Sequence, residues 1–273
     1  MKAIQLPMHT YNFDTDTQPL RSSEGSVDLH LSDRYDIGDK PNGGYVLASI
    51  ARGLATVVGH QHPVSIAGHY LRPSVAGAGT IELDAPRIGR TFSTASGRFI
   101  QGGKERVRSL ATFADLDRFE GPTLVTGRPP AIAPMDQCFN RKDETRGPSL
   151  ALSHSITTLV DRSRSHCAGH ELEVHAWFAF ADGRPLDVWS LPLLVDAGPP
   201  TAFGATGEPS WVPTLELTCH IRAIPVGTHA RGVFRTRFLN NGLCEEDGEL
   251  WDERDVLVAQ SRQLAMLRPH PSE

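Results

Sequence analysis

Between Tyr45 and Val58 the apolar side chains fall at Val46, Leu47, Ile50, Ala51, Leu54, Val57 and Val58, a helical spacing with few polar interruptions. The stretch predicts a helix covered on most of its sides. The pattern then shifts to strand character over 64–71, 80–87, 91–100 and 106–114. Gln101-Gly102-Gly103-Lys104, between the last two, has the residues that a tight hairpin turn needs at positive φ. An earlier strand is expected at 26–32. The order then returns: a strand over 172–181, a turn at Asp182-Gly183-Arg184-Pro185, a helix over 186–197 and strands over 214–221, 230–239, 243–251 and 256–267. Gly43 and Asp196, Pro73 and Pro225, Gly89 and Gly242, and the hairpin tips Gly102 and Asp255 all keep an offset of about 153 positions. Two copies of one supersecondary unit are implied.

One helix followed by consecutive antiparallel strands is not the strand–helix alternation of a parallel sheet. It predicts an α+β chain of two fused units, each an antiparallel sheet wrapped around a central helix, with the sheets meeting edge to edge. Pro199-Pro200 must bend or end the second helix, because neither can donate an i to i−4 bond. Residues 118–150 carry Pro122, Pro129, Pro130, Pro134 and Pro148 among polar residues and are expected to link a first unit, 1–117, to a second, 151–273.

Composition narrows the partners. A net charge of −5 supplies no bulk attraction to nucleic acid or to anionic membranes. No apolar run approaches the length of a membrane span, and residues 1–13 lack the apolar core of a secretory signal, so a cytoplasmic protein is expected. Cys138, Cys167, Cys219 and Cys244 have no CxxC spacing and the twelve histidines no HExxH. Reduced thiols and no bound metal are the expectation. The absence of a phosphate-binding glycine loop and of a GxSxG elbow argues against nucleotide chemistry and a covalent hydrolase.

Pro41-Asn42-Gly43-Gly44-Tyr45, His69-Tyr70-Leu71-Arg72-Pro73, Pro213-Thr214-Leu215 and Val258-Ala259-Gln260-Ser261-Arg262-Gln263-Leu264-Ala265, in that order, give the clearest functional signal. In them the chain resembles the acyl-CoA thioesterase II type of double-hotdog protein over most of its length outside the linker. The resemblance implies hydrolysis of acyl-CoA without metal or organic cofactor, in fatty acid metabolism. It also implies a single site in which Asp196, Thr214 and Gln263 hold the attacking water.

Chemistry supports that trio. A carboxylate near the end of a buried helix can act as general base once desolvation raises its pKa. Gln263 offers both a carbonyl and an amide, and Thr214 a hydroxyl, to fix a water's orientation. Gln263 also lies in an apolar run, where an unpaired amide would cost roughly 1–3 kcal/mol. Alternatives stay open: an Asp before Ala-Gly-Pro-Pro also suits a helix end, and Thr218 shares the face of Thr214 in a regular strand. Gln260 falls on the opposite face from Gln263. His69 and His220 read as core histidines. Gly43 and Gly44, at the start of the first helix, are candidate oxyanion donors or simply points of close approach. Tyr45 and Trp189 are candidate linings of an acyl channel, and Arg72 or Arg90 candidate partners of CoA phosphates. Two other functions fit the same fold: a non-catalytic acyl-CoA or lipid carrier, and a hydratase, which would need a histidine that does not follow Asp196 before His220. Exposed strand edges predict a homo-oligomer.

Overall fold

Asn42 decides where the first long helix starts. In the computed structural model, which describes residues 10–145, 150–165, 172–206 and 211–268, its side-chain oxygen accepts the Tyr45 N–H at 2.9 Å. This cap sets helix α1 at Gly43–Ala55, slightly ahead of the span expected from apolar spacing. Strands β1 (Ser26–Leu31), β2 (His62–Tyr70), β3 (Gly77–Arg87), β4 (Ser93–Gln101) and β5 (Lys104–Ala114) wrap around it. They pair antiparallel in the order β1-β3-β4-β5-β2. The β4–β5 turn has Gly102 at φ +60° and Gly103 at φ +70°, the left-handed pair that a two-residue hairpin loop demands.

The second unit contains β6 (Phe139–Asn140), β7 (Ile156–Val160), β8 (Leu172–Phe180), helices α2 (Leu191–Leu194) and α3 (Phe203–Thr206), β9 (Thr214–Ile221), β10 (His229–Thr236), β11 (Leu243–Trp251) and β12 (Leu257–Met266). Its order, β9-β12-β11-β10-β8, mirrors the first, and β2 pairs with β9 to make one continuous sheet. Across this seam Leu217 faces Gly68 and Cys219 faces Ile66. The tip of the β11–β12 hairpin, Asp255, has φ +63°, the same left-handed state as Gly102 in the matching position. β7 and β6 extend the sheet beyond β8, so the proline-rich stretch before residue 150 contributes a strand to the second unit.

The second helix differs from its expected span of 186–197. Asp187 and Ser190 exchange hydrogen bonds, Asp187 N to Ser190 Oγ at 3.1 Å and Ser190 N to Asp187 Oδ1 at 2.9 Å, and so form a turn where the apolar residues had suggested helix. A single helical turn follows, and Gly198-Pro199-Pro200 prevents it from resuming. The offset that relates the strands therefore does not carry back through the helix. Asp196 is not the positional mate of the α1 start but lies against it. While thirteen residues of α1 fill the hollow of the first sheet, α2 has four, and among the described residues a cavity remains over the second sheet, walled in part by the first unit.

His69 and His220 are exposed on the outer face of the seam strands, so neither is the core histidine that the sequence suggested. Cys138, Cys219 and Cys244 are free thiols, and Cys167 lies outside the described residues. Among the described residues no helix is long and apolar enough to cross a membrane.

The two helices meet at Gly44, where a Cβ would lie 2.2 Å from the Pro192 carbonyl oxygen and 2.8 Å from Asp196 Cβ. Gly44→Ala is expected to destabilise the fold by about 1–3 kcal/mol, the usual scale of overpacking. Gly59→Ala, where the added methyl meets nothing within 4 Å, should leave stability nearly unchanged. Paired denaturant melts check the difference.

Candidate active site

The open hollow of the second sheet is a cavity of about 820 Å³. Its floor is a row of polar side chains on adjacent strands: Thr214 on β9, Gln263 on β12, Glu246 on β11 and Thr236 on β10. Alternation alone would not put Thr214 there. A β-bulge between Thr214 and Glu216 inserts one extra residue, so that Thr214 pairs with the inward Ala265 while Glu216 pairs with the outward Leu264. Thr218 consequently faces away, its hydroxyl donating to the Glu216 carboxylate, which corrects the shared face expected for Thr214 and Thr218.

The polar groups of the row are satisfied by one another and by Thr201. The Gln263 amide donates to Thr214 Oγ1. Glu246, directly opposite Gln263 in the β11–β12 pairing, accepts the Thr201 N–H at 2.8 Å and its hydroxyl at 2.7 Å. Thr201 and Thr236 share a hydroxyl–hydroxyl bond of 2.6 Å. Gln260 does not line the cavity.

Asp196 leaves the end of α2 and points at the N-terminus of α1. Its Oδ2 accepts Asn42 Nδ2 at 2.9 Å and the Gly44 N–H at 2.8 Å, and Asn42 Nδ2 also reaches the Asp196 backbone oxygen at 2.8 Å. No described residue donates to Oδ1. The carboxyl is half-buried on the cavity wall, and its burial among protein atoms, reinforced by the Glu246 carboxylate, pushes its pKa up to about 7. The Gly44 N–H, the Asn42 amide and the Arg141 guanidinium act in the opposite direction. The positive end of the α1 dipole favours the anion as well.

Three further groups complete the wall. Tyr70 donates to the Gly43 carbonyl at 2.8 Å, and its phenol is held well above the usual range, first by burial and then by the Asp196 charge. Burial also raises Glu246, against the two Thr201 bonds. Arg141, just after β6, is buried and donates Nη1 to the Ala197 carbonyl at 2.9 Å; desolvation lowers its pKa to about 10.

Thus Asp196, Thr214, Gln263 and Gly43 border one cavity. The Gly44 N–H is already committed to Asp196 and is no free oxyanion donor. Tyr45 is not a channel residue: it is fully buried, stacks on Tyr35 at 4.2 Å, donates to the Asp16 carbonyl and accepts the Ser32 N–H. Trp189 and Arg90 also lie off the cavity, whereas Arg72 stands on its rim. The sequence reading missed Glu246, Arg141, Tyr70 and the Asn42 amide. Glu246 carried a signal, a carboxylate at an inward position between Cys244 and Gly248; Arg141, in an irregular proline-rich stretch, carried none.

Comparison with known proteins gives the same picture at the level of the family. The acyl-CoA thioesterase N-terminal domain matches residues 31–114 and the acyl-CoA thioesterase C-terminal domain residues 129–267. A crystal structure from Thermobifida fusca, described as a candidate thioesterase II, superposes with a TM-score of 0.86 at 29% identity, covering 97% of this chain and 99% of that one. A hot dog fold protein of unknown function from Alicyclobacillus acidocaldarius gives 0.85 at 19% identity, covering 97% and 100%. An uncharacterised protein of Mycobacterium tuberculosis is 24% identical over 280 residues, 92% of this chain and 95% of its own. The two units are therefore fused hotdog units.

Because the Glu246 charge helps to raise Asp196, Glu246→Gln should move the Asp196 titration to lower pH, and loss of the amide in Asn42→Ala should move it higher. Carboxyl-carbon NMR titration reads both shifts, and movement in the reverse directions would contradict the electrostatic account.

Proposed function

The chain belongs to the acyl-CoA thioesterase family and is a thioester hydrolase, and from that premise we propose that Asp196 is its general base, with Gln263 and Thr214 orienting the water. The observation that carries the assignment is a desolvated carboxylate with one oxygen anchored and the other unengaged, opening onto the same cavity as the Gln263–Thr214 pair. Water bound between them gives a proton to Asp196 Oδ1 as its oxygen attacks the thioester carbon. Collapse of the tetrahedral intermediate breaks the C–S bond, and the departing CoA sulfur takes the proton back from Asp196. The acid and CoA leave, and the carboxylate is regenerated.

The intermediate needs a donor for its oxyanion. Gly43 borders the cavity at the positive end of α1, and its N–H has no acceptor among the described residues, so it takes this role. Tyr70 holds the Gly43 carbonyl and keeps that peptide in place. A hydratase is disfavoured because no histidine lines the cavity among the described residues. A passive carrier would have no use for an anchored carboxylate whose burial is costly.

The setting we assign is the cytoplasm, in fatty acid metabolism, where CoA esters and free thiols coexist. Assembly into a homo-oligomer is part of the same proposal, supported by the outer strands Arg21–Ser23 and β6, each paired on one side only.

The base must be ionised to act, so kcat should rise with pH through a midpoint near 7 and level off above it. Asp196→Asn should lower kcat by about 10²-fold or more. Its melting temperature at alkaline pH should not fall. The folded-state pKa lies above the unfolded value near 3.8, so ionisation of Asp196 removes stability as pH climbs from about 4 to about 7, and the amide avoids that loss. Thr214→Ala and Gln263→Ala should reduce kcat, whereas Thr218→Val and Gln260→Ala should change it little. Near wild-type turnover in Asp196→Asn, or a pH profile without a rise near 7, would remove Asp196 from this role.

A further inference from the structure

We propose that the acyl group taken by this site carries an oxygen function of its own, a hydroxyl, keto or carboxylate oxygen close to the thioester, and that Arg141 receives it. This rests on the thioesterase assignment and adds the class of acyl group to it.

Arg141 is 9% exposed and borders the cavity, yet a single hydrogen bond, to the Ala197 carbonyl, is all that it makes to the described residues. None of the described carboxylates lies within ion-pairing distance. Asp196 spends its Oδ2 on Asn42 and Gly44, and Glu246 accepts from Thr201. A guanidinium has five N–H donors, so four remain, on a side chain taken out of bulk water. Asp196, Glu144 and Glu246 favour its charge only from farther off. Buried cations are ordinarily paired, and one that faces a ligand cavity without an ion pair among the described residues is a binding group waiting for its acceptor.

The floor of the cavity agrees. The inner face of a sheet that held only a hydrocarbon chain would be apolar, but here Thr236 and Glu246 continue the polar row past the water-binding pair Thr214 and Gln263. Their hydroxyl and carboxyl groups lie on the cavity side of β10 and β11. The anchoring of Arg141 to Ala197, the residue after the base, places its remaining donors near the reacting centre, so the acceptor oxygen belongs a few bonds from the thioester carbon. The polyanionic CoA head has other partners available: Arg72, Arg162 and Arg268 are exposed on the cavity rim. Arg141 is therefore not needed for the phosphates.

The test is thiol release from butyryl-CoA, hexanoyl-CoA, 3-hydroxybutyryl-CoA, acetoacetyl-CoA and succinyl-CoA at about pH 8, where the base is ionised. The wild-type protein should prefer at least one oxygenated ester over butyryl-CoA by about ten-fold or more in kcat/KM, and Arg141→Met should collapse that ratio towards unity. Arg141→Lys, which keeps charge and donors, should retain part of it. Preference for succinyl-CoA alone assigns a carboxylate acceptor; preference for the hydroxy or keto ester assigns a neutral one. Preference of the wild-type protein for butyryl-CoA or hexanoyl-CoA overturns the inference by itself, whether or not the variants fold. Equal loss on every ester in Arg141→Met, with a raised pH midpoint, overturns it too and makes Arg141 a positioning residue for Asp196. Absence of hydrolysis on any ester at any pH would instead strike the thioesterase assignment.

Discussion

The molecule turns on one amide. The Asn42 side chain uses its oxygen to cap α1 and its nitrogen to hold Asp196, so the group that starts the helix of the first unit also fixes the carboxylate of the second. An aspartate would cap as well, but it would set a second negative charge beside Asp196 and would have no N–H to donate. Gly44 follows from the same contact: its N–H reaches Asp196 only because the missing side chain lets the two helices close on each other. Helix start, interface between the units and candidate base are a single hydrogen-bonded cluster.

Around that cluster, two departures from regular structure create the site. Shortening of α2 opens the hollow, and the bulge in β9 turns Thr214 into it. Each conflicts with local stability, since a truncated helix leaves apolar surface uncovered and a bulge interrupts a ladder. Such conflicts are the usual mark of a place where function has overruled folding. The polar row beneath is consistent with this: its members are satisfied by one another and by Thr201 and so avoid the penalty of bare polar groups in an interior.

Strands and hairpins were legible because alternation and turn chemistry are local. The left-handed tips at Gly102 and Asp255 follow directly from the residues present. The second helix was not legible, because Leu186, Val188, Leu191, Leu193 and Leu194 have apolar spacing that a turn at Asp187–Ser190 interrupts without altering composition. Tyr45 follows a motif that borders the cavity, but helical rotation carries its side chain to the far side, into the aromatic pair with Tyr35. The face of Thr214 depends on one extra residue in a ladder, and nothing in Pro213-Thr214-Leu215-Glu216 announces it. Thr214 and Gln263 could be named from motif resemblance, but how they come to face one cavity only the pairing reveals.

The continuous sheet formed by β2 and β9 has an evolutionary consequence. In a dimer of identical hotdog subunits every substitution occurs twice, so hollowing one sheet hollows both, and the helix that holds the assembly together is weakened in each copy. Covalent fusion breaks that symmetry. One half can keep a full central helix and serve as the rigid reference, while the other sheds its own and drifts towards new ligands without endangering the fold.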